Sequence, residues 1–115
     1  MITDVFCKII NKELDAKIVM EAENWLAIED INPQAPVHVL IIPKKHFNFI
    51  EEADDNDKEI LGELMLAIDK VAHEKGIAEK GYRVIINQKE YGGQLVPHFH
   101  IHVLGGKKMG PKMIK

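Results

Sequence analysis

Seven residues near the end of the chain, His98-Phe99-His100-Ile101-His102-Val103-Leu104, alternate imidazole and apolar side chains without a break and close on two apolar residues. A period of two belongs to a β-strand, whose side chains point in turn to opposite faces. Such a strand turns Phe99, Ile101 and Val103 towards a core. It turns His98, His100 and His102 towards a cleft or solvent, because three buried imidazoles without partners would be costly. A sheet with one covered face follows, and its cover is legible further up the chain. Ile60, Leu61, Leu64, Met65, Ile68, Val71 and Ala72 form an apolar stripe at helical spacing, so a long helix is expected over Asn56–Lys75. Acidic residues crowd its start, Asn56 with Glu59 resembles a capping box, and Gly76 is the expected stop.

The remaining elements fill in around this pair. Val5–Leu14 has near-helical apolar spacing and reads as a short N-terminal helix. Ala16–Glu21 and Asn24–Glu29 read as a hairpin, and Val37–Ile42 as a strand after the proline-bounded loop Asn32–Pro36. Tyr82–Gln88 is a further strand, and Gly92-Gly93-Gln94 a tight loop before the histidine strand. The grouping predicts one α+β domain over residues 1–115: about five strands in a mostly antiparallel sheet, with one short N-terminal and one long central helix.

Charge and cysteine usage narrow the partners. A net charge of −3 gives no electrostatic reason to expect nucleic acid or an anionic membrane. The C-terminal lysines (Lys107, Lys108, Lys112, Lys115) have no interleaved aromatics and read as a solvated tail. The longest apolar run, Val37–Ile42, falls far short of the ~20 residues that span a bilayer. With the single cysteine Cys7 no intrachain disulfide can form, and the first ten residues carry acidic Asp4 where a secretory signal would be basic. A cytoplasmic protein is expected.

A single strand histidine is ordinarily a satisfied core or surface residue. Three on one face are a repetition that folding does not require. One reading is metal binding, which needs imidazoles within ~2.0–2.1 Å of one ion. Neighbouring members of the row lie ~6.6 Å apart and the outer pair ~13 Å, so further ligands would have to come from His38, a carboxylate or Cys7. The other reading is nucleophilic catalysis. Imidazole is largely neutral at pH 7 and needs only its second nitrogen pinned, commonly Nδ1–H on a backbone carbonyl, to leave Nε2 free for attack. His100, flanked on both sides, is the candidate nucleophile. The Gly92-Gly93-Gln94-Leu95 stretch could turn successive N–H groups towards an anion, although a glycine pair alone is usually just a turn. No P-loop or dinucleotide fingerprint is present.

The histidine alternation, together with Ile31–His38, Ile42–His46, Gly81–Asn87 and Leu104–Gly106, resembles the histidine triad nucleotide hydrolases of the Hint branch over roughly Asp4–Gly110. That resemblance implies hydrolysis of purine nucleoside 5′-monophosphate conjugates, phosphoramidates among them, without a cofactor or catalytic metal. His100 would attack the α-phosphorus to give a nucleotidyl-histidine. His102 would contact phosphate and leaving group, and His98 and His38 would support the site. Asn87, Gly93, Gln94 and Leu95 would hold phosphate oxygens, Asp30 the ribose hydroxyls, and Val5, Phe6, Ile9, Ile28 and Ile31 the purine. It also implies a homodimer with a continuous sheet. The alternatives are a metal-binding histidine module, a non-catalytic nucleotide-binding interaction protein and, within the same superfamily, a dinucleoside polyphosphate hydrolase.

The chain departs from the family pattern at three places. Leu95 stands where close relatives carry a serine, Pro97 where an aromatic residue is common, and the tail 110–115 lacks a tryptophan found in some relatives. Outside the motif, His46 reads as a loop residue, His73 as a cation suited to the end of the long helix, Lys44-Lys45 as solvated loop and Cys7 as small core filler.

Overall fold

The computed structural model describes residues 4–111. Five antiparallel strands form one sheet in the order β1-β2-β3-β5-β4: β1 (Ile18–Glu21), β2 (Trp25–Glu29), β3 (Val37–Pro43), β4 (Arg83–Ile85) and β5 (Ile101–Gly105). A short helix α1 (Val5–Ile10) precedes the sheet and a 17-residue helix α2 (Lys58–Glu74) follows β3. This is the α+β arrangement expected. Lys112, Lys115 and the end of the tryptophan-less tail lie outside the described residues, as do Met1 to Thr3.

The period of two assigns the faces. Trp25 and Ala27 of β2, Val39 and Ile41 of β3, and Ile101 and Val103 of β5 point to α2, whose Leu64, Ala67, Ile68 and Val71 complete the main core. Leu26, Ile28, Leu40 and Ile42 point the other way and meet Phe6 of α1. His38 and His102 lie on this second face, since His102 pairs with Leu40 and His38 with Leu104 across the central strands. The histidines therefore occupy the sheet face covered by the short helix, opposite the long one.

Several boundaries differ from expectation for local reasons. Helix α1 stops at Ile10 because Lys12 takes a left-handed conformation (φ 66°), and Glu13 N–H returns to Lys8 O at 2.7 Å. That cap is usually a glycine, so nothing in the sequence marked it. The capping box falls one turn ahead of α2, on the 3-10 turn Asp55–Asp57, and is made by Asp54 and Asp57, not Asn56 and Glu59; Asp57, the N-cap of α2 itself, makes no side-chain cap bond. Asp54 Oδ1 accepts from Asn56 N–H, and Asp54 N–H donates to Asp57 Oδ2. Gly76 ends α2 with φ 73°, as expected. β4 is shorter than the span Tyr82–Gln88, and β5 begins only at Ile101. His98 and His100 thus lie ahead of the strand. In the register of the ladder Phe99 would face Pro43, which has no N–H to donate. Phe99 N–H turns to Phe47 O instead, at 2.7 Å.

Candidate active site

His100 is held by its own neighbour. Its Nδ1–H donates to the carbonyl of His98 at 2.8 Å, and its ring lies edge-on to Phe6 with centroids 5.1 Å apart. Nδ1 is therefore the protonated nitrogen, and Nε2 carries the lone pair. His102 sits beside it, with ring centroids 5.0 Å apart.

A proton chain fixes His102 as well. Gln34 N–H donates to His38 Nδ1 at 3.0 Å, so the neutral His38 carries its hydrogen on Nε2. His38 Nε2 lies 2.9 Å from His102 Nδ1 and donates to it, with Asp30 Oδ2 3.4 Å away. His102 must then bear its hydrogen on Nε2; the Asn87 Nδ2 that lies 3.4 Å away is itself a donor, so this contact is not a hydrogen bond in that tautomer. The two neighbouring histidines consequently present opposite functions, a lone pair on His100 and a donor on His102.

His98 leaves the row. Its fully buried ring donates from Nε2 to Pro43 O at 2.9 Å, and its Nδ1 faces Asp4 Oδ2 at 3.2 Å. His46 Nδ1 lies 3.0 Å from the same carboxylate oxygen, and Cys7 Sγ lies 3.3 Å from His46 Nδ1. Cys7 is thus part of a polar cluster, not core filler, and His46 is part of it too. Lys44 and Lys45 are likewise paired, with Glu21 and Asp57. Burial alone would raise the Asp4 carboxyl, but the Cys7 amide and His98 together hold it below the usual carboxylate value. Burial raises the Cys7 thiol. Among the described residues two groups could hold a cation, Asp4–Cys7–His46–His98 and Asp30–His38–His102, each with ligand atoms within 4.8 Å of one another. The histidine row does not converge on one ion, and His100 belongs to neither group.

His100 and His102 line an open cavity of about 290 Å³, close to the lower end of small-ligand pockets. Val5, Phe6, Ile9, Ile28 and Ile31 gather along it, with Asp30, Asn87, Gly93 and Leu95. His38, His98 and Gln94 do not line it. Leu40 and Val96 do, and sequence reasoning missed both, although Leu40 alternates with Val39 and Ile41 onto the histidine face. The glycine loop is a closed turn. Gly93 N–H bonds Glu90 O and Gln94 N–H bonds Lys89 O, so these two amides are engaged within the loop and not aimed as a nest. Among the described residues the N–H groups of Leu95 and Val96, both of which line the cavity, have no partner.

Burial holds His38, His98, His100 and His102 below the ordinary imidazole value of 6.5, His102 at about 4 with further lowering from His100 and His38. The imidazoles of His38, His100 and His102 are therefore neutral at pH 7. Between those lowered values and 6.5 the unfolded chain binds more protons than the folded one, so stability falls as pH drops through this window. Denaturant midpoints should be flat between about pH 7 and 8 and decline from 6.5 towards 4. A midpoint that stays level down to pH 4.5 would mean these imidazoles are not buried neutral.

A model of the HIT domain matches residues 11–109 of the chain. The chain is 40% identical to the purine nucleoside phosphoramidase of Escherichia coli K12 over 109 residues, 95% of this chain and 92% of that one. Among solved structures it is similar to the HIT family hydrolase of Clostridium thermocellum (TM-score 0.94, 51% identity, 99% of both chains). It is also similar to a HIT family hydrolase of Legionella pneumophila (TM-score 0.91, 45% identity, 95% of this chain and 97% of that one).

Proposed function

This chain belongs to the HIT domain family, and from that premise we propose that it hydrolyses purine nucleoside 5′-monophosphate conjugates with an amine leaving group, through a nucleotidyl intermediate on His100. One observation carries the assignment: His100 is locked by Nδ1–H on a backbone carbonyl at the wall of an apolar cavity, which leaves Nε2 as the unprotonated nitrogen. The name of the Escherichia coli relative, purine nucleoside phosphoramidase, supports the substrate class.

In this reading the base lies among Phe6, Ile9, Ile28 and Ile31 with Val5, and Asp30 takes the ribose hydroxyls. Asn87, the Leu95 N–H and the turn made by Gly93 hold the phosphate, and the Gln94 side chain braces that turn from behind. His100 Nε2 attacks phosphorus, a P–N bond to the enzyme forms, and the bond to the leaving amine breaks. His102 Nε2–H donates a hydrogen bond to the departing nitrogen, which leaves as the amine with a proton taken up from solvent; His38 and Gln34 hold His102 in that tautomer. Water then cleaves the adduct, releasing the nucleoside monophosphate and a proton to solvent. His98 acts through its carbonyl, which fixes the His100 ring.

Incubation with adenosine 5′-phosphoramidate should release AMP and ammonia. Binding of AMP without turnover would leave a nucleotide-binding module, and faster cleavage of diadenosine polyphosphates would move the substrate class. A second reading, a metal-binding role, is favoured by the Asp4–Cys7–His46–His98 group and is decided by metal analysis of the same sample. A cytoplasmic, reducing setting accords with the free thiol of Cys7.

We also propose a homodimer through β4. This short strand lies at the sheet edge with Val84 partly exposed, so its free backbone groups can extend the sheet into a second copy. Light scattering after size exclusion should give twice the chain mass, and Val84→Lys should shift it to the monomer. A monomeric wild type would sink this assembly.

A further inference from the structure

We infer that Leu95 selects for leaving amines with an apolar body and against those carrying a negative charge. The inference rests on the phosphoramidase reading above and refines its substrate class.

Leu95 is 92% exposed, yet it lines the cavity that His100 and His102 share. Exposed leucines scattered over a surface mean little. This one is held in place. The Gln94 side chain accepts from Lys89 N–H at 2.9 Å and donates to Asn48 O at 3.1 Å and Val96 O at 3.2 Å. Gly93 N–H and Gln94 N–H close the turn from inside. Gly92 is pressed so tightly against Gln88 that a Cβ there would lie 2.3 Å from its carbonyl oxygen. The loop is therefore cross-braced, and Leu95 remains outside both hydrophobic cores because its backbone holds it there. With the backbone that carries Leu95 fixed, covering its side chain orders only that side chain's own rotamers.

The charges point the same way. Two charged residues line the cavity, Glu29, which is paired with Lys75 at 3.0 Å, and Asp30; among the described residues no lysine or arginine is part of the lining. The imidazoles are neutral at pH 7. One phosphate charge is met by N–H donors, and beyond the phosphorus the lining offers the Leu95 side chain and no cation to a second anionic group. With the purine and ribose assigned to residues of α1, β2 and the stretch just after it, the portion beyond the phosphorus falls beside the loop that carries Leu95. Its favoured chemistry is an alkyl or arylalkyl amine.

The test compares kcat/KM for three adenosine 5′-phosphoramidates: the unsubstituted amide, the phenethylamine conjugate and the β-alanine conjugate. Wild type should prefer phenethylamine over β-alanine by about tenfold or more. Leu95→Ser should lower the ratio of phenethylamine to unsubstituted substrate by about tenfold, and Leu95→Met should restore it. Tyr91, on the same loop and fully exposed but outside the cavity lining, is the control, and Tyr91→Ser should leave the ratio unchanged. A ratio that Leu95→Ser does not move, a ratio that Tyr91→Ser moves as far, or a wild-type preference for β-alanine overturns the inference. Failure of wild type to cleave even the unsubstituted amide overturns the phosphoramidase reading itself.

Discussion

His100→Asn loses roughly a thousandfold or more in turnover while AMP binding changes only a few-fold. Covalent catalysis divides one difficult displacement into two easier ones, and both need this ring. His102 cannot stand in. Its Nδ1 accepts from His38 at 2.9 Å, so its cavity-facing nitrogen carries a hydrogen and has no lone pair to give. His98 cannot either, because its ring is fully buried and bonded to Pro43 O. Binding, in the proposed function, draws instead on Asp30, the apolar wall and backbone N–H groups. Asparagine keeps a polar group at a buried position and limits the packing loss beside Phe6. Acid quenching of wild type during turnover should trap an adduct of one nucleotidyl group, located by peptide mass spectrometry at His100. An adduct on His98 or His102, or near-normal turnover by the variant, would remove the mechanism.

Asp30→Ala raises KM for a ribonucleotide substrate by about 10- to 100-fold, since charge-assisted hydrogen bonds contribute roughly 1.5–3 kcal/mol. The carboxylate is held ready for two hydroxyls. Its Oδ1 accepts from Asn32 N–H at 2.7 Å in a local turn, and its Oδ2 lies 3.4 Å from His38 Nε2. That second contact means the variant also relaxes the His38–His102 chain, so kcat should fall modestly, by less than about tenfold, where one neutral hydrogen bond is at stake. The decisive comparison uses a 2′-deoxy substrate. Wild type should discriminate against it, and the variant should treat both sugars nearly alike. Equal discrimination in both proteins would show that the ribose is recognised elsewhere.

The two variants probe parts of the site that were unequally visible beforehand. Asp30 and His100 could be named from the motif and its resemblance to a family. The tautomers that give them their chemistry could not, because they depend on Gln34, His38 and the His98 carbonyl being brought to bonding distance. The glycine loop was misjudged for a related reason. A Gly-Gly pair advertises a turn, but only the folded turn reveals that the Gly93 and Gln94 amides are consumed by Glu90 and Lys89.

The sequence by itself determined the faces. Alternation in residues 98–104 and helical spacing in α2 are local regularities, imposed by backbone geometry alone, and they sort side chains to the core or to the opposite face, Met65 of the expected stripe excepted, which lies exposed. Gly76 as the stop of α2 belongs with these. Tertiary structure decided which residues meet on the second face. Phe6 and Asp4 come from the start of the chain to lie on His100 and His98 near its end, and Cys7 and His46 join the latter. Pairing decided the rest. The run of alternating histidines reads as one strand, but opposite Pro43 the ladder has no donor, so strand geometry begins at Ile101. That break turns His98 away into its own buried cluster while its carbonyl remains to hold His100. A periodic pattern reports how a segment prefers to run, whereas contacts between residues some ninety positions apart exist only after packing has selected one register and one covering helix.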